Sequence, residues 1–129
     1  MSKILKVNFK DKRGKIIDIF VSTPKEHCTM VTFNKGAIRG NHFHKKTTQY
    51  TFVIEGKLLL ISQKVNQKGE LMGNPKKKII LENFLVVHKQ KHAHAFKALK
   101  KSKVLAFADG ARAGKKYEED TFRLSKKLI

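Results

Sequence analysis

Short β-prone runs alternate with turn residues along the whole of this chain, and that punctuation restricts the folds open to it. Residues 4–9, 16–21, 28–33, 49–54, 57–62, 78–81, 84–88, 95–99 and 103–107 each read as extended, being rich in β-branched, aliphatic and aromatic side chains. Turn signals lie between them. They include Asp11-Lys12-Arg13-Gly14, Lys35-Gly36, Gln67-Lys68-Gly69-Glu70, and Met72-Gly73-Asn74-Pro75, which is expected to break the chain. Glu55-Gly56 reads as the tight turn of a hairpin. No helical period is long enough to compete. About eight to ten short strands predict an all-β sandwich or barrel. The 129 residues make one domain, spanning 1–129.

Bulk properties narrow the setting. The single cysteine, Cys28, excludes an internal disulfide and points to a reducing, cytoplasmic compartment. Within its apolar run, Cys28 is expected to be a small buried side chain. No signal peptide and no apolar run of membrane-spanning length is visible, so no membrane partner is expected. The formal net charge is +19, but only four of the 29 basic residues are arginines: Arg13, Arg39, Arg112 and Arg123. Nucleic-acid readers depend on arginine forks and aromatic stacking platforms, and Trp is absent. Nucleic acid is therefore not the expected partner. A lysine-rich solvated surface that concentrates phosphorylated small molecules is.

The chemistry gathers in His42-Phe43-His44. Residues two apart on a strand share a face, so both imidazoles project together. Such a pair can grip a divalent metal, or act as a base and its partner in proton transfer. His92-Ala93-His94 repeats the pattern on what is expected to be a facing strand, whereas His27 and His88 read as structural. Four imidazoles are thus expected to meet inside a small β container. Gln49, Thr51 and Val53 would share the pocket side of their strand; Tyr50, Phe52 and Ile54 would then pack a sheet or dimer surface.

Gly36, His42-Phe43-His44, Gln49 and Gly56 together resemble the first motif of the cupin family, and the stretch from Val87 to Phe96 resembles the second, with His94 as its histidine. The resemblance implies a cupin jelly roll. Within it, Arg39-Gly40-Asn41-His42-Phe43-His44-Lys45 is similar to the sugar-modifying cupins of polysaccharide biosynthesis. These include the WxcM-like proteins, the cupin end of capsular polysaccharide enzymes and the dTDP-4-keto-6-deoxyglucose ketoisomerases. The stretch from Gly110 to Phe122 resembles the tail of this group. Two departures stand out: Gln49 replaces the usual glutamate ligand, and His88-Lys89-Gln90-Lys91 replaces the usual proline-glycine.

What the resemblance implies is an isomerase or epimerase of a nucleotide-linked 4-keto-6-deoxy sugar. His42, His44 and Tyr50 would be catalytic, and Arg39, Asn41, Lys45 and His92 would bind substrate, with Lys46 assisting. His42, His44, Gln49 and His94 would hold one divalent metal (Zn, Ni, Mn or Fe), with no organic cofactor. The alternatives are a metal-dependent cupin of another class, dioxygenase or lyase, and a non-catalytic sugar- or metal-binding cupin. No Asp or Glu lies between Glu26 and Glu55 to supply pocket charge, which favours the last. A homodimer is expected, covering a sheet edge or an outer apolar face. Tyr117 and the acids Glu118 to Asp120 read as an exposed tail, opening a short helix or an extended arm.

Overall fold

The computed structural model describes residues 2–109 and 119–129. Among the described residues twelve strands are formed: β1 (Ser2–Ile4), β2 (Phe9–Asp11), β3 (Gly14–Ile16), β4 (His27–Phe33), β5 (Ile38–Phe43), β6 (Gln49–Glu55), β7 (Lys57–Val65), β8 (Leu71–Leu81), β9 (Phe84–His88), β10 (His92–Ala98), β11 (Ser102–Ala108) and β12 (Phe122–Arg123). One five-stranded sheet has the order β1-β9-β6-β11-β4, and a second has the order β12-β5-β10-β7-β8. Every pairing is antiparallel, and β2–β3 forms a separate ribbon. The expected all-β sandwich is therefore what the chain adopts.

Between the sheets, Phe33, Val53, Leu58, Leu60, Ile80, Phe84, Val86, Phe96, Ala98 and Val104 form one apolar core. Alternation along the strands supplies it: Leu58 and Leu60 on β7, Phe84 and Val86 on β9, Phe96 and Ala98 on β10. A second cluster lies around Phe43, Val65 and Ala93, where Leu124 and Leu128 of the C-terminal segment pack against them.

Three local expectations are corrected. Glu55-Gly56 is a corner, not a hairpin, because β6 pairs with β9 and β11 while β7 pairs with β8 and β10. Gly56 has φ +110°, and a Cβ there would overlap Ser102, so only glycine fits the corner. The expected break at residues 72–75 lies inside β8. That strand is a sheet edge, where Pro75 forfeits no interior ladder bond, and a register shift between Ser62 and Lys64 absorbs the irregularity. Cys28 is exposed rather than buried, on edge strand β4.

The bulge between β5 and β10 positions the site. Ala95 pairs with Gly40 and His94 with His42, so Asn41 is the extra residue on β5. It adopts φ +56°. Without this skip, the side-chain period of two would set Asn41 beside His94 and turn His42 to the outer face. Gly40 permits the approach: a Cβ there would lie 2.6 Å from the His94 carbonyl oxygen.

Candidate functional site

His42 and His94 are cross-strand partners on the inner face of the second sheet, with ring centroids 4.7 Å apart. His44 follows β5, and its ring lies 5.0 Å from that of His42 and 5.6 Å from that of His94. One nitrogen from each of the three rings lies within 4.8 Å of the others. All three rings are buried. The two histidine-bearing strands turn out to be neighbours in one sheet rather than facing strands.

The fourth imidazole is not the expected one. His92 sits at the rim, where its Nδ1 lies 3.1 Å from the Gln90 carbonyl. His88, read from the sequence as structural, takes its place: it comes from β9 in the opposite sheet, and its ring lies 4.2 Å from that of His94, tilted by 31°. Its Nε2 is hydrogen-bonded to Thr51 Oγ1 at 2.9 Å. Alternation with Phe84 and Val86 was the available signal, since it puts His88 on the core face of β9.

Burial, followed by the nearby His44, pushes the His88 pKa down to about 3. Burial, with His88, His42 and His44 as further contributors, also holds His94 well below the ordinary range. Both rings are therefore neutral at pH 7, the state in which imidazole can accept a proton or ligate a metal.

His44 is oriented from outside the cavity. Its Nδ1 lies 2.7 Å from the Asp120 main-chain carbonyl, which can only accept, so the proton resides on Nδ1. Asp120 is fixed in turn, its carboxylate accepting from the amides of Lys45, Lys46 and Thr47 at 2.8–3.2 Å. Burial works to raise its pKa, and these hydrogen bonds outweigh it and hold the carboxyl below its usual value. Asp120 is thus buried, contrary to the expected exposed tail; Arg112, Tyr117 and Glu118 lie outside the described residues.

A cavity of about 410 Å³ opens beside the cluster. His42, His94, Gln49 and Thr51 line its polar side, Phe33, Phe96 and Val104 its apolar side, and Arg39 and Arg123 its mouth. Arg39 donates to the Thr32 carbonyl at 3.3 Å and lies over the Phe33 ring. Beyond the two arginines a second hollow of about 370 Å³ continues along the surface past Asn41 and Lys127.

Several expected site residues point elsewhere. Tyr50 lies on the opposite face of β6 from Gln49 and packs edge-on against Phe20, with the Lys25 ammonium over its ring, so the phenol does not line the cavity. Asn41 secures the C-terminal segment, its Oδ1 accepting from the Leu128 amide at 2.8 Å and its Nδ2 donating to the Ile129 carbonyl. Lys45 places its ammonium over the Phe122 ring. Arg123, which sequence reasoning assigned no role, donates to His42 Nδ1 at 3.3 Å. It reaches His42 through the β12–β5 pairing, a contact with no local sequence signal.

As a metal centre, the cluster offers three imidazoles and the Gln49 amide, with no carboxylate among the described lining residues. The Gln49 Nε2 is buried without a hydrogen-bond partner among the described residues. Rotation of the amide exchanges this nitrogen for an oxygen able to meet a cation. The donor set thus fits a divalent ion in composition, with weak charge compensation.

The family model described as polysaccharide biosynthesis C-terminal domain matches residues 9–121. No curated protein matches the chain in sequence. Among solved structures, dTDP-4-dehydrorhamnose 3,5-epimerase from Sulfolobus tokodaii is similar with a TM-score of 0.73 and 24% identity, over 88% of this chain and 70% of that one. ChmJ, a 3'-monoepimerase from Streptomyces bikiniensis in complex with dTDP-quinovose, gives a TM-score of 0.70 at 16% identity, over 84% of this chain and 63% of that one. The capsular polysaccharide assembling protein CapF from Staphylococcus aureus gives 0.65 at 20% identity. There 95% of this chain matches, covering only 33% of the larger protein. These likenesses show the fold.

Proposed function

Because the chain belongs to the polysaccharide biosynthesis C-terminal domain family, we propose that it epimerises or isomerises a nucleotide-linked 4-keto-6-deoxy sugar. The observation that carries this reading is the convergence of His42, His44 and His94 beside an open cavity whose mouth holds Arg39 and Arg123. The sugar would occupy the cavity, and its diphosphate would meet the arginines, whose forked donors suit phosphate oxygens. The nucleoside would extend into the outer hollow. Two of the structural neighbours are a dTDP-4-dehydrorhamnose 3,5-epimerase and a 3'-monoepimerase in complex with dTDP-quinovose, which supports this class of ligand.

The reaction needs a proton removed beside a ketone. In the proposal, His44, whose buried Nε2 lies outside the described cavity lining and is reached only when the bound sugar displaces its neighbours, takes the proton there, because its Nδ1 already carries a proton held by the Asp120 carbonyl. The C–H electron pair becomes the carbon–carbon double bond of an enolate, and the negative charge moves to the carbonyl oxygen, where a His42 N–H meets it. Delivery of a proton to the opposite face of the carbon from water entering the open mouth, with the hydroxide left behind neutralised by the proton held on His44, completes epimerisation and restores the base. A bound divalent ion (Zn, Ni, Mn or Fe) at His42, His44, His94 and Gln49 would supply Lewis-acid polarisation of the same oxygen.

The 4.8 Å spacing of the three imidazoles also favours a second reading, a metal- or sugar-binding cupin, or one of another reaction class. Incubation with dTDP-4-keto-6-deoxy sugars in D2O separates the two. The proposal expects deuterium on the carbon beside the ketone, seen by mass spectrometry and NMR. Exchange with none of them would overturn it. The proposal further takes the protein to be a cytoplasmic homodimer.

A further inference from the structure

The geometry points to Arg123 as a positioning residue that holds His42 in its Nε2–H form, and so prepares the cluster for proton transfer while opposing a divalent cation. This inference rests on the proton-transfer reading above and extends it to a residue outside the histidine motif.

Strand β12 places Arg123 beside His42. Its guanidinium Nη1 lies 3.3 Å from His42 Nδ1 and 3.4 Å from the Gly40 carbonyl oxygen. A guanidinium has donors only and does not deprotonate in proteins. The ring nitrogen that it meets must therefore supply a lone pair, and in a neutral imidazole the remaining proton then sits on Nε2. His44 is set the other way: its Nδ1 faces the Asp120 carbonyl, an acceptor only, so its proton sits on Nδ1 and its lone pair on Nε2. Two histidines separated by Phe43 thus carry their protons on opposite ring nitrogens. One presents a hydrogen-bond donor and the other a base, the division of labour that enolate formation requires.

The same contact acts on a metal. A divalent ion needs a bare nitrogen from each imidazole. In His42 the Nδ1 lone pair is engaged by Arg123, and Nε2 is protonated. A fixed positive charge also stands against the ring, where it repels a cation. Asp120 and Arg123 lie in one short stretch of the C-terminal segment, so a single strap sets both rings.

Two measurements on the full chain test this. The first uses the metal-free wild-type protein and side-chain nitrogen NMR of 15N-labelled histidine. Expected are a protonated Nε2 and bare Nδ1 for His42, with the reverse for His44. A protonated Nδ1 on His42 would overturn the inference. The second titrates Zn2+ by calorimetry into wild type, R123A, R123Q and R123K. Loss of the guanidinium in R123A and R123Q should tighten Zn2+ binding at least tenfold, while R123K, which keeps the charge, should stay within about threefold of wild type. Unchanged affinity in both R123A and R123Q would overturn the inference. Neither readout needs turnover, so failure of every sugar to exchange would sink the epimerase reading and leave these results standing.

Discussion

His44 Nδ1 lies 2.7 Å from the main-chain carbonyl of Asp120, and the carboxylate of that same aspartate collects the amides of Lys45, Lys46 and Thr47. One residue thus fixes both the His44 ring and the loop that follows it. Asp120→Ala leaves these amides without an acceptor, at a cost of about 2 kcal/mol, or about 7 °C in Tm for a domain of this size. Asp120→Asn keeps one acceptor oxygen and should lose less. Thermal unfolding followed by circular dichroism checks both, and an unshifted Tm in Asp120→Ala would contradict the role given to its carboxylate.

Stability should depend on pH through the buried rings. His88 titrates near 3 in the folded chain against 6.5 in the unfolded one, and His94 is shifted the same way. The unfolded state therefore binds protons first as pH falls. Stability is complete above about 6.5 and erodes toward 3, each histidine contributing a slope of up to about 1.4 kcal/mol per pH unit. Asp120 adds a loss at lower pH, because its folded pKa is depressed and its contribution disappears as the carboxylate protonates. Urea unfolding of metal-free protein between pH 4 and 8 should show this fall, with a shallower slope in His88→Leu.

Gly40→Ala tests the bulge that aligns the histidines. The new Cβ would lie 2.6 Å from the His94 carbonyl oxygen and 3.0 Å from Ala95 Cα, at φ +101°. A loss of about 3 kcal/mol is expected. A variant as stable and as active as wild type would show that β5 and β10 do not approach this closely.

Arg39 lines both the cavity and the outer hollow. Arg39→Ala should weaken dTDP binding by about ten- to a hundredfold, the worth of one charge-assisted contact, measured by calorimetry. Binding within twofold of wild type would remove Arg39 from the proposed diphosphate site.

Much of this arrangement was legible in local patterning. Alternation placed Gln49, Thr51 and Val53 on one face of β6 and Tyr50 on the other, and the two His-x-His pairs marked the strands that carry the site. What escaped was long-range register. His88 enters because β9 pairs with β6, opposite Gln49, and nothing near residue 88 announces that partner. His92 shares the inner face of β10 with His94 but lies two register pairs nearer the rim. Asp120 and Arg123 act across more than 70 residues, Arg123 from a strand of two residues and Asp120 from just before it. Gly56 looked like a hairpin turn because a glycine with positive φ serves a corner between sheets equally well.

The most direct measurement is the rate of deuterium wash-in to a dTDP-4-keto-6-deoxy sugar in D2O, compared across H44N, H42N, H92A and Y50F. Removal of the proposed base, His44, or of the proposed oxyanion donor, His42, should slow exchange by about 10²–10⁴-fold in H44N and H42N. H92A and Y50F, whose side chains lie at the rim and on the outer face, should stay within about threefold of wild type. Exchange at the wild-type rate in both H44N and H42N would contradict the histidine cluster as the seat of the chemistry.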